Sequence, residues 1–170
     1  MTPKLIGAIL IISVCGGAGM ARARAHRRRE RMLQELIHVL QAMASELQYR
    51  MLPLPQLFLV AAEQSSGMLS SVFEYTAKEL QRQVAPDASY CLHAALEGVR
   101  DMPDVLRDKL MLLGKSLGRY DLQGQLSGME AVSQLCKRDL EGLLLNRDAR
   151  LRSYTTLGLC TGIALVILFI

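Results

Sequence analysis

The chain has 170 residues, 51% hydrophobic and 21% charged, with a formal net charge of +4 at pH 7, a length that suits one domain plus anchors. Apart from Lys4, every charged residue lies between Arg22 and Arg152, and from Met32 to Asn146 ten basic residues face fourteen acidic ones, so the pI near 9.0 is made by two arginine collars on a mildly acidic body. That distribution removes pI as an argument for nucleic-acid binding, and four cysteines without paired spacing indicate neither a disulfide framework nor a zinc site, with reduced thiols the default.

Leu5 to Ala21 is a run of seventeen uncharged residues, the short limit for a helix that spans a bilayer, and its Gly7, Gly16, Gly17, Ala18 and Gly19 permit close approach of another helix. Arg22, Arg24, Arg27, Arg28, Arg29 and Arg31 crowd its exit. Arg147, Arg150 and Arg152 crowd the entrance to a second apolar run, 154–170, which offers Gly158 and Gly162 as a matching face. Positive charge beside an apolar span stays in the cytoplasm, so the sequence predicts a cytoplasmic body, both termini outside, and collars at anionic head groups. A cleaved signal peptide is disfavoured, because one lysine precedes the first run and a dense arginine cluster follows it.

Between the runs, residues 22–153 predict a six-helix cytoplasmic bundle. Leu33, Leu36, Ile37, Leu40, Met43, Leu47 and Met51 line one face of a first helix from Arg27 to Met51, which Pro53 ends. A short helix from about Gln56 to Gln64 follows, then a break at Ser65-Ser66-Gly67. Ser70 is the expected cap of a third helix carrying Val72, Phe73, Ala77 and Leu80, closed by Pro86. Asp87 caps a fourth, to about Val99, and Pro103-Asp104 opens a fifth, to Leu117. Gly118 then closes and Asp121 caps the sixth, predicted to run on as one helix to Ile170, a rod of about 75 Å at roughly 1.5 Å per residue. No stretch alternates like a strand, so the fold class is all-α, a bundle flanked by two transmembrane helices.

No catalytic constellation is read from the chain, and no cofactor is expected. Gly114-Lys115-Ser116-Leu117-Gly118 mimics both a nucleophile elbow and the end of a phosphate loop, but each needs a preceding strand and a helix surrounds this one. His26, His38 and His93 are far apart, without an i, i+4 ligand pair on a shared face. The nine methionines fit gap-filling in a core. The Arg22–Arg31 stretch lacks the stacking aromatics of a nucleic-acid surface.

Leu113-Gly114-Lys115-Ser116-Leu117-Gly118-Arg119-Tyr120-Asp121 with Gln125 resembles the stage III sporulation protein AB family. The opening Lys4-Leu5-Ile6-Gly7-Ala8, Glu46-Leu47 leading into Pro53-Leu54, and the closing Leu157-Gly158 with Leu165-Val166-Ile167-Leu168 extend the resemblance over nearly the whole chain. It departs at Gly124, where serine is expected, and at Tyr49-Arg50-Met51-Leu52, which lacks expected polar residues. The resemblance implies a subunit of a sporulation channel in the mother-cell membrane around the forespore. The soluble domain is expected to resemble the cytoplasmic domains of type II secretion and type IV pilus platform proteins. The implied partners are the complex's secretion-type ATPase, other channel membrane subunits and the bilayer, with no nucleic acid. Gly118, Arg119, Tyr120, Asp121 and Gln125 are the expected partner-binding corner, since a tight turn holds side chains at a fixed angle. The competing class is a membrane-anchored regulatory or sensor protein with a ligand pocket among its helices.

Overall fold

The computed structural model describes residues 2–82, 87–118 and 120–145, with side chains from Arg24 onward. The chain divides into two units, Arg31–Leu140 and Met1–Glu30 with Glu141–Ile170. Among the described residues there are six α-helices and no strand: α1 Thr2–Arg50, α2 Leu54–Glu63, α3 Gly67–Gln81, α4 Ala88–Glu97, α5 Asp104–Ser116 and α6 Leu122–Leu145. The all-α class and the six helices agree with the sequence reading. Among the described residues no helix is long and apolar enough to cross a membrane. Residues 5–21 lie within the backbone of α1, and the predicted span 154–170 lies outside the described residues, as does everything predicted of the sixth helix beyond Leu145.

Two elements expected at 5–21 and 27–51 are one helix. Nothing between them breaks helical geometry: Met20 to Ala25 alternates alanine with methionine and arginine, all strong helix formers. α1 stops where Leu52 precedes Pro53 and is pushed from the helical region. Met51 makes the turn with φ +51° while its N–H still reaches the Leu47 carbonyl at 3.2 Å. Glycine usually takes that left-handed position, and methionine there costs about 1 kcal/mol. α2 starts at Leu54, earlier than expected, because Pro53 caps it and Pro55 sits in the first turn, where no N–H is needed.

The expected cap of α3 is corrected. The helix begins at Gly67, and Ser70 Oγ instead donates to the Ala62 carbonyl at 2.9 Å. The acceptor at this helix start is Glu35 of α1, whose Oε1 takes the Ser66 N–H and, at 2.8 Å, the Ser66 hydroxyl. Asp87 caps α4 as expected, accepting from the Ser89 N–H at 3.2 Å. The far end of α4 is closed from α5: Arg107 donates through Nη1 to the Leu96 carbonyl at 2.9 Å and through Nη2 to the Val99 carbonyl at 2.8 Å, two of the acceptors a helix end leaves open.

In the unit Arg31–Leu140, α2 packs on α3, α3 on α4 and α4 on α5. Met32, Leu33, Leu36, Val39, Leu40, Met43 and Leu47 recur every three or four residues along α1 and are all buried. Phe58 and Phe73, both fully buried, meet with ring centroids 6.1 Å apart. α5 joins α6 through Lys109 and Asp139, 2.7 Å apart.

Two buried polar groups of α6 give measurable expectations. Ser133 is buried and its hydroxyl has no hydrogen-bond partner among the described residues. Ser133→Ala is therefore expected to raise stability by about 1 kcal/mol, the desolvation of an unsatisfied hydroxyl. A chemical-denaturation midpoint that stays put or falls would contradict this. Cys136 is fully buried, and its thiol is pushed up to about 11 by burial, with Lys109 opposing and Asp139 adding to the shift. Burial likewise raises Cys91, helped by Glu79 and Asp87. A pKa above the unfolded value means the contribution of Cys136 to stability is complete below that value and is lost as pH rises through about 11. Iodoacetamide should leave native Cys136 unmodified at neutral pH and label it once the chain is unfolded. Equal native and unfolded labelling rates, resolved by peptide mass spectrometry, would refute this.

Candidate functional site

The corner between α5 and α6 is built by glycine and by side chains that bond back to the main chain. Leu117, buried and extended at φ −84°, ψ 133°, ends α5 with its N–H on the Leu113 carbonyl at 3.2 Å. Gly118 follows at φ +80°, the left-handed conformation that terminates a helix and that a Cβ disfavours. A Cβ there would also lie 2.9 Å from Leu54 Cδ1, so the first residue of α2 lies close against this glycine. Asp121 then caps α6, its Oδ1 accepting from the Gly124 N–H at 2.9 Å. Gln125 donates from Nε2 to the Tyr120 carbonyl at 2.9 Å, while its own Oε1 is buried without a donor among the described residues.

Gly124 departs from the serine expected by resemblance, and the geometry explains it. A Cβ at 124 would lie 2.6 Å from Tyr120 Cβ and 2.9 Å from Asp121 Oδ1. Glycine lets Tyr120 fold back over the first turn of α6. Tyr120 nonetheless remains 61% exposed.

The remaining glycines of the motif region also serve close packing. A Cβ on Gly114 would come within 3.1 Å of Ser89 Cα and 3.2 Å of Leu92 Cδ2, so this glycine sets how closely α4 and α5 approach. Gly128 does the same between α6 and the last turn of α5, where Ser116 Cβ lies 2.3 Å from the position a Cβ would take. Ser116 Oγ donates to the Leu113 carbonyl at 2.8 Å within its own helix. The Gly-x-Ser-x-Gly pattern is thus a packing and turning device.

Of the predicted partner-binding residues, the structure brings Gly118, Tyr120, Asp121 and Gln125 together, and Arg119 lies outside the described residues. Gly118 turns the chain, Asp121 caps and Gln125 pins a carbonyl. Tyr120 alone among these four presents a large exposed side chain. Of the collar, Arg24, Arg27, Arg28 and Arg31 are exposed on α1 and Arg29 is half-buried; the side chains of Arg22, Arg147, Arg150 and Arg152 lie outside the described ones.

Sequence reasoning missed the neighbouring turn. Tyr49 and Met51 at the end of α1 are 79% and 72% exposed, next to the segment whose Leu54 touches Gly118. The available signal was Tyr49 and Met51 in the last four residues before Pro53, in the stretch that departs from the family pattern. One reading about ligands is corrected: His93 and Glu97 do form an i, i+4 pair, with Nδ1 3.6 Å from Oε1. Both are exposed, and no group of three metal-ligating residues occurs among the described residues.

The family described as stage III sporulation protein AB matches residues 4–170. The chain belongs to that family. A solved structure titled stage III sporulation protein AB (SpoIIIAB) superposes with a TM-score of 0.64 at 20% identity, covering 72% of this chain and 98% of that one. An identity that low speaks for the fold. No curated protein matches the chain. In this stage III sporulation protein AB family member, the run that carried the resemblance, Leu113 to Asp121, is the end of one helix and the turn into the next, with glycine where chains approach most closely.

Proposed function

We propose that this protein is a membrane platform or adaptor subunit of the sporulation channel complex between mother cell and forespore. Residues 5–21 and 154–170 anchor it in the mother-cell membrane around the forespore, and the bundle lies in the cytoplasm. The α5–α6 corner docks the secretion-type ATPase of the same complex, with Tyr120 and Arg119 as contact residues and other channel subunits meeting the membrane segments. The observation that carries this reading is the corner itself. Gly118, Asp121 and Gln125 fix the backbone, and the Tyr120 ring is exposed on a turn that is already locked. A rigid, exposed aromatic forfeits little entropy on docking and suits an interface anchor. Family membership supplies the setting, and the one helix from Thr2 to Arg50 supplies continuity between the apolar run and the bundle.

Arg119→Glu and Tyr120→Ala are expected to keep the circular dichroism of the wild type and to reduce ATPase co-purification with the detergent-solubilised chain by about tenfold each. Unchanged recovery would remove the docking role, and lost helical signal would make the corner structural. Cysteine labelling of intact cells tests the topology: a cysteine placed at Glu74 should resist an impermeant reagent, and modification from outside would overturn the cytoplasmic placement.

A further inference from the structure

Arg24, Arg27 and Arg28 stand at i, i+3 and i+4 on α1 and are all exposed, so they form one row on one side of the helix. Arg29 falls on another side and is half-buried. From Arg22 to Arg31 the chain uses six arginines and no lysine, and contains no aromatic residue. A collar that only set membrane orientation would need positive charge, which lysine supplies equally well. Guanidinium supplies something more, a planar fork of donors that grips phosphate oxygens in pairs, whereas ammonium acts as a point charge.

We infer that Arg24, Arg27 and Arg28 form a phosphate-gripping row that holds the head groups of anionic phospholipids through guanidinium hydrogen bonding and not through charge alone. This rests on the membrane placement proposed above. Neighbours at i, i+3 and i+4 have Cβ atoms about 5–6 Å apart, close enough for two arginines to share one head group. The missing aromatics favour lipid over single-stranded nucleic acid, whose bases need stacking partners.

The full chain would be reconstituted in nanodiscs of mixed phosphatidylcholine and phosphatidylglycerol and released in mild detergent, and the lipid that stays bound counted by mass spectrometry. The wild type is expected to retain phosphatidylglycerol over phosphatidylcholine by on the order of a hundredfold, three basic residues each adding their share of head-group attraction. The triple variant R24K/R27K/R28K keeps the charge and is expected to lose about tenfold of that preference. R24Q/R27Q/R28Q, which removes the charge as well, should lose more of it than the lysine variant does. Equal preference in the wild type and the lysine variant would overturn the inference, as would displacement of the bound lipid by single-stranded RNA. A wild-type chain that fails to enter nanodiscs at all would overturn the membrane placement itself, and this inference with it.

Discussion

Gly128→Ala is expected to destabilise the bundle by about 2 kcal/mol, although alanine is the better helix former. In an open helical position the same exchange gains up to about 1 kcal/mol. Here the new Cβ would be placed 2.3 Å from Ser116 Cβ and 2.6 Å from Ser116 Oγ, so α6 must move off the end of α5. Overpacking of that kind costs about 3 kcal/mol and outweighs the helical gain. Gly142, near the C-terminal end of α6, provides the contrast: a Cβ there meets nothing within 4 Å among the described residues, and Gly142→Ala should stabilise. Ser116→Gly in the Gly128→Ala background should restore more than 1 kcal/mol through the removed overlap, a coupling that a double-mutant cycle in chemical denaturation reads directly. Additive effects of the two substitutions would show that the helices do not meet at these residues.

Gly118→Ala is expected to cost about 2 kcal/mol, most of it from forcing an L residue to φ +80°. The 2.9 Å approach to Leu54 Cδ1 adds less, because the tip of a leucine can rotate away. Gly118→Asn should cost less than alanine, since asparagine tolerates the left-handed region. If alanine and asparagine destabilise equally, steric contact with Leu54 governs the position and the backbone conformation does not. Because Tyr120 is only two residues away, the proposed docking predicts that either substitution also weakens recovery of the ATPase, and alanine more than asparagine.

Much of the fold was legible in the sequence. Apolar spacing placed the helices, and Pro53, Asp87 and Pro103 marked boundaries whose physics is local. Several of the misreadings have remote determinants. Ser70 has the right chemistry to cap a helix, but a carboxylate 31 residues before Ser66 serves the start of α3. The α5–α6 corner was visible because Gly118 and Asp121 signal a turn by residue type alone. Its contact with Leu54 was not, since no local pattern says which loop lies against a glycine. Gly128 was equally silent: a glycine inside a helix looks like a weakness until the neighbouring helix is known. Met51 was assigned to the buried face of α1 by its spacing from Leu47, and Pro53 turned the chain first, leaving its side chain exposed.

The carboxylate of Glu35 has a consequence in time. Chains emerge from the ribosome N-terminus first, so this acceptor is already outside the tunnel when Ser66 appears. Synthesis thus presents the acceptor for the start of α3 before its donor, and closing that 31-residue gap costs an entropy that helical order in α1 reduces.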